Sequence, residues 1–233
     1  MRPSPDWLES LPKERLMAEM SLWSADLARL GAEIARTDPF ADLYHIDVAD
    51  GHFAPALLFF PDLVAVCRRS TAKPLHVHLM ASDVILEAQI RQFADAGADA
   101  ISIHAENQNL EVCLDLIDSL GLVAGIVLQV QTPVAAADAF LDRIGLLTLL
   151  GTRIGVKGQA LDAQAADRLR EAKRTTPGPI VLCADGGIRE NTVPDLAKAG
   201  ARTVVMGSLA FGSENLAERM AWIHAQPVER GLA

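Results

Sequence analysis

The sequence predicts an α/β fold, a closed (β/α)8 barrel of the TIM type, and three observations point there. About eight apolar runs of strand length alternate with helical patterns along the chain, at the spacing of successive βαβ units. No linker or composition break interrupts them, so residues 1–233 read as a single domain with a short N-terminal leader over residues 1–15. The 233 residues also approach the roughly 250 typical of such barrels. Half the residues are hydrophobic and 5% aromatic, so the core must be assembled mainly from Ala, Val, Leu and Ile, as in buried parallel sheets.

The first strand is expected over 16–23, with Ser24 as the N-cap of a helix whose face carries Leu27, Leu30 and Ile34. A second strand over 43–48 leads to a helix over 61–69 that opens on Pro61, where a missing N–H costs little. The third unit pairs 75–80 with 82–96, stopped by Gly97, and the fourth pairs 99–104 with 110–120, stopped by Gly121. Strands at 122–128, 144–150, 180–184 and 202–206 follow, with helices at 133–141, 162–174 and 190–199 and a last one ending near 225. Ala96-Gly97-Ala98-Asp99 and Ala199-Gly200-Ala201-Arg202 recur at corresponding helix-to-strand joints; small residues suit any tight turn, and a duplicated half-barrel is the other reading.

A net charge of −9 excludes a sequence-independent nucleic-acid surface, which needs clustered Lys and Arg. No apolar run reaches the roughly 18–20 residues that span a bilayer. Three widely spaced cysteines without a Cys-x-x-Cys pair argue against a disulfide framework, and the expected compartment is the cytoplasm.

In a parallel barrel the reactive end is the C-terminal end of the strands. The residues that close the expected strands are His45, Asp47, His78, His104 and Asp185. His45 and Asp47 stand two apart and project from one strand face, where they can share a metal ion. Asp47 and Asp185 come from opposite sides of the mouth and can flank a substrate. Inversion of a carbon next to a carbonyl needs two bases on opposite faces and a cation against the developing charge.

Several runs carry a family resemblance: Ser21-Leu22-Trp23-Ser24-Ala25-Asp26, His45-Ile46-Asp47-Val48-Ala49-Asp50-Gly51-His52-Phe53, His76-Val77-His78-Leu79-Met80, Ala184-Asp185-Gly186-Gly187-Ile188 and Met206-Gly207-Ser208-Leu209-Ala210-Phe211-Gly212. Together, in this order, they resemble the ribulose-phosphate 3-epimerases. The resemblance implies a ketose-phosphate 3-epimerase with one divalent metal ion (Zn, Fe or Mn) held by His45, Asp47, His78 and Asp185, with Asp47 and Asp185 as the acid/base pair. It implies substrate or phosphate contacts at Ser21, Gly155, Gly158, Gly186, Gly187, Ile188, Gly207 and Ser208. Met80 is a candidate apolar cap, and His76, where the family has Asp, a candidate hydrogen-bond partner behind the site. The implied partners are a small phosphorylated sugar and further copies of the chain, since relatives form dimers or hexamers.

The loop after the sixth strand departs from the family pattern Met-Thr-Val-Asn-Pro-Gly-Phe-Gly-Gly-Gln. Here it reads Leu150-Gly151-Thr152-Arg153-Ile154-Gly155-Val156-Lys157-Gly158-Gln159, and Arg153 and Lys157 are candidate anion contacts. Ala49 and Leu150 replace methionines, and Gln129-Val130 replaces Asn-Pro. The chemistry is retained while the pocket wall changes, so another tetrulose, pentulose or hexulose phosphate stands beside ribulose 5-phosphate as substrate. Two alternatives are a silent sugar-phosphate sensor, disfavoured by two opposed carboxylates, and a hexulose-phosphate synthase type of aldolase or decarboxylase, disfavoured because Ala49 occupies its lysine position.

Overall fold

Each apolar run predicted as a strand takes its place in one closed parallel sheet. The computed structural model describes residues 2–228; residue 1 and residues 229–233, the ends of the expected domain, lie outside the described residues. The strands are β1 (Met17–Ser21), β2 (Leu43–Ala49), β3 (Leu75–Met80), β4 (Ala100–His104), β5 (Val123–Leu128), β6 (Leu146–Leu150), β7 (Val181–Asp185) and β8 (Thr203–Met206). They pair in sequence order, and β8 returns to β1 through Met17 opposite Thr203 and Met20 opposite Met206.

Around them lie α1 (Leu30–Thr37), α2 (Pro61–Ser70), α3 (Asp83–Ala96), α4 (Leu110–Ser119), α5 (Ala165–Thr175), α6 (Val193–Ala199), α7 (Ser208–Phe211) and α8 (Leu216–His224). Two local expectations are corrected. Ser24 ends a 3-10 turn begun at Leu22, and Asp26, whose carboxylate accepts from the Ala28 amide at 3.1 Å, caps a second 3-10 turn, Leu27–Arg29, that leads into α1 and leaves Leu27 exposed. Between β5 and β6 the expected α-helix is a 3-10 segment, Val134–Arg143. Its buried residues Val134 and Ala137 stand three apart, the period of that tighter helix, and Phe140 and Leu141 pack beside them.

The recurring joints are alike in structure. Gly97 and Gly200 both end a helix with φ above +100°, and a long cationic side chain, Arg68 on α2 or Lys173 on α5, packs where a Cβ would sit.

Strand parity stacks three layers inside the barrel. The lowest holds Met17, Leu43, Ala100, Leu146 and Val181, and buried Trp7 packs against it with Leu8 and Leu11. Residues 7–11 thus close the barrel floor. Two positions further along the same strands come Glu19, His45, Ser102, Thr148 and Cys183, all buried, with His76 beside them from β3. Two positions further again stand Ser21, Asp47, His104, Leu150 and Asp185, at the mouth. This middle layer is polar where such barrels ordinarily place Val, Ile and Leu.

Candidate active site

Asp47 and His78 sit opposite each other in the β2–β3 register, and β7 brings Asp185 from across the mouth. His45 Nε2 lies 3.3 Å from Asp47 Oδ1 and 3.9 Å from Asp185 Oδ2; His78 Nδ1 lies 3.3 Å and 3.6 Å from the same two oxygens. One ligand atom from each residue falls within 4.8 Å of all the others, so the cluster is able to hold a metal ion. The donor set fits such an ion on a further ground: His45 Nε2 is buried without a hydrogen-bond partner, an unusual state for a packed imidazole.

Electrostatics push the two aspartates apart. Burial opposes ionisation of Asp47, but the His45 charge, with that of His78 beside it, brings its pKa well below the ordinary range. Burial raises the Asp185 pKa, and the neighbouring Asp47 charge adds to the rise. His45 is desolvated, yet Asp47 and Glu19 hold its pKa well above that of a free histidine. Ser21 Oγ donates to Asp47 Oδ2 at 3.0 Å, so the expected substrate serine also orients a carboxylate.

A cleft of about 580 Å³ opens above the cluster. Ser21, Asp47, His78 and Asp185 form its base, with Met80 beside them. Met80 packs with Ala49 and Ala54 in a small apolar cluster against Phe53 and Ile154. Gly186, Gly187, Ile188, Gly207 and Ser208 line one wall, and Arg153, Gly155, Lys157 and Gly158 another. His45 lies below the cleft floor, fully buried.

Gly186 and Gly187 have φ of +86° and +72°, and a Cβ would meet Thr152 Oγ1 at 2.3 Å and Leu161 Cα at 2.8 Å. The glycines are therefore fixed by packing as well as by any bound anion. The divergent loop is tethered on both sides. Lys157 Nζ donates to the Trp23 carbonyl and sits 4.6 Å from the Trp23 ring centroid, while Arg189 donates to the Gly158 and Gln159 carbonyls at 3.2 and 3.0 Å.

Sequence reasoning placed His76 behind the site as a hydrogen-bond partner, and missed the Glu19 and Ser102 it bonds to. Glu19 Oε2 accepts from His45 Nδ1 at 3.0 Å and His76 Nδ1 at 2.8 Å, and His76 Nε2 reaches Ser102 Oγ at 2.7 Å. The available signal was a charged residue in the apolar run 16–20, two positions before Ser21 on the same face. His104 does not join the cluster; its Nε2 lies 2.8 Å from His78 Nε2 and its Nδ1 3.1 Å from Glu106.

A family model described as the ribulose-phosphate 3 epimerase family matches residues 17–211, which span β1 to α7. The chain belongs to the ribulose-phosphate 3-epimerase family. It is thus an isomerase of the epimerase class. It is 37% identical over 202 residues to ribulose-phosphate 3-epimerase 2 of Cupriavidus necator, covering 83% of each chain. It is 36% identical to the Bacillus subtilis ribulose-phosphate 3-epimerase, covering 84% of this chain and 92% of the relative, and 35% identical to that of Escherichia coli K12, covering 85% and 90%. A solved orotidine 5'-phosphate decarboxylase from Pyrococcus horikoshii superimposes with a TM-score of 0.64 at 15% identity, over 89% of this chain and 97% of the other, a likeness of fold alone. None of the described helices is long and apolar enough to cross a membrane.

Proposed function

We propose that this epimerase inverts C3 of a ketose phosphate, ribulose 5-phosphate or a related tetrulose, pentulose or hexulose phosphate, with Asp47 and Asp185 as the two proton-transfer groups. The observation that carries the reading is the meeting of these two carboxyls, from β2 and β7, at one point beneath the cleft. His45, Asp47, His78 and Asp185 would hold one divalent cation of the Zn, Fe or Mn class, which two imidazoles and two carboxylates suit equally. Bound there, the cation supplies positive charge against the oxygens of the deprotonated ketose.

The protein's own groups do the rest. One carboxylate takes the C3 proton, the C–H electron pair delocalises onto the adjacent carbonyl, and the other carboxyl returns a proton to the opposite face. Ser21 keeps Asp47 turned towards the substrate. The amides at Gly186, Gly187, Gly207 and Ser208 face the phosphate end, with Ile188 beside them. Met80 covers the reacting carbons, and Arg153, Lys157, Gly155 and Gly158 close over the sugar.

Leu57 and Val84, 82% and 95% exposed, and Phe60 support a homo-oligomer through the β2–α2 loop and the head of α3. Three buried free cysteines suit a reducing cytoplasm. The test is solvent exchange: candidate ketose phosphates incubated with enzyme and divalent metal in deuterated water gain deuterium at C3, and Asp185→Asn abolishes the gain. Binding without exchange for every candidate would favour the sensor, and near wild-type turnover in Asp185→Asn would remove that residue from proton transfer.

A further inference from the structure

The two imidazoles of the cluster present different nitrogens to its centre, His45 through Nε2 and His78 through Nδ1. A neutral imidazole ligates only through its unprotonated nitrogen, so each ring must carry its proton on the far side. The far nitrogens are both engaged. His45 Nδ1 reaches Glu19 Oε2 directly, at 3.0 Å. His78 Nε2 reaches His104 Nε2 at 2.8 Å, and His104 Nδ1 reaches Glu106 Oε2 at 3.1 Å.

The direction of each chain follows from its carboxylate. An ionised Glu19 only accepts, so His45 places its proton on Nδ1 and turns a free Nε2 lone pair towards Asp47 and Asp185. An ionised Glu106 likewise draws the His104 proton to Nδ1. His104 Nε2 is then an acceptor, His78 must donate from Nε2, and its Nδ1 lone pair is left facing the centre.

Both carboxylates are built into the fold for this. Glu19 is fully buried in the barrel interior, and His76, itself bonded to Ser102, also hydrogen-bonds the same oxygen. Glu106 Oε1 accepts from the Gln129 amide at 3.2 Å and from the Thr132 hydroxyl, which fixes its rotamer. An apolar residue at position 19 would fill the same space without constraining either ring.

We infer that Glu19, and Glu106 acting through His104, are positioning residues that fix the protonation pattern of His45 and His78 so that both offer lone pairs to one cation. The inference rests on the proposed metal site but is tested apart from turnover. With histidine labelled in 15N, the wild-type protein should show exchange-protected downfield protons on His45 Nδ1 and His78 Nε2. Glu19→Gln should move the first and spare the second, and Glu106→Gln should do the reverse.

Zn²⁺ titrated calorimetrically into the metal-free protein should bind about 10- to 100-fold more weakly in either variant. Thr203→Val, a buried change in the same barrel interior at a hydroxyl that makes no hydrogen bond to either ring, should bind as wild type. Should Glu19→Gln fail to fold, Glu106→Gln at the half-buried rim carries the test. Unchanged Zn²⁺ affinity with unmoved N–H resonances would overturn the inference, as would an equal loss in Thr203→Val. Absence of Zn²⁺ binding by the wild type would instead remove the metal site, leaving the resonances to judge the two relays.

Discussion

Gly125→Ala probes the polar interior from a residue that touches no candidate ligand. A Cβ at position 125 on β5 would lie 2.0 Å from Ser102 Oγ and 3.1 Å from Leu146 Cβ. The neighbour on β6 is backbone-bound and cannot retreat, so the Ser102 hydroxyl must give way by about 1 Å or rotate. Either movement breaks its 2.7 Å bond to His76 Nε2, and both residues are fully buried. Overpacking and a newly unsatisfied buried group together cost about 2–4 kcal/mol, a large part of the roughly 5–15 kcal/mol that holds a domain folded. Urea unfolding followed by far-ultraviolet circular dichroism reads this as a lowered midpoint at constant slope. Ser102→Gly removes the obstructing hydroxyl, so the double variant should be less destabilised than the two singles combined, by about 1–2 kcal/mol. A Gly125→Ala protein as stable as wild type, or strictly additive effects, would refute the account of how β4 and β5 share this space.

Three further outcomes are expected. Trp7→Ala should cost about 3–4 kcal/mol, because the indole packs on the lowest barrel layer; an unchanged melting temperature would show that residues 7–11 are dispensable. Lys157→Met should raise KM for an anionic sugar about three- to tenfold with kcat little altered, and added salt should shrink the difference; an equal fall in kcat would place Lys157 in the chemistry instead. Burial pushes the Cys67 thiol up to about 12 and that of Cys113 up to about 11, and Cys183 well above its usual range. The folded protein should therefore resist a thiol-specific disulfide reagent at pH 8. Since the unfolded chain ionises near the ordinary thiol value of about 8.5, stability is unaffected below about pH 8 and falls as pH rises towards the folded values, a loss that Cys67→Ala should reduce.

The strands were legible because each is a short apolar run bounded by Gly, Pro or a charged turn, and the mouth residues because strand parity exposes them two by two. Parity put His104 at the mouth beside Asp47, His78 and Asp185, and only the family resemblance left it out of the cluster. Glu19 was hidden because its meaning lies in partners 26 and 57 residues away, which only barrel closure brings together. Trp7 was hidden among prolines and charges that carry no strand or helix period. The hold of Lys157 on Trp23, across 134 residues, depends on a loop path that no local pattern encodes. The segment after β5 misled because its apolar residues suit either helical period, with Ala137 and Leu141 four apart and Val134 and Ala137 three.

The polar stratum under the mouth also constrains how this chain can change by descent. Replacing His76, Ser102 or Glu19 alone strands a partner in a place water does not reach, so a lineage can rarely leave the arrangement one substitution at a time. Sites that merely line the cleft are free to drift, and novelty in substrate choice should accumulate there while the foundation stays as inherited.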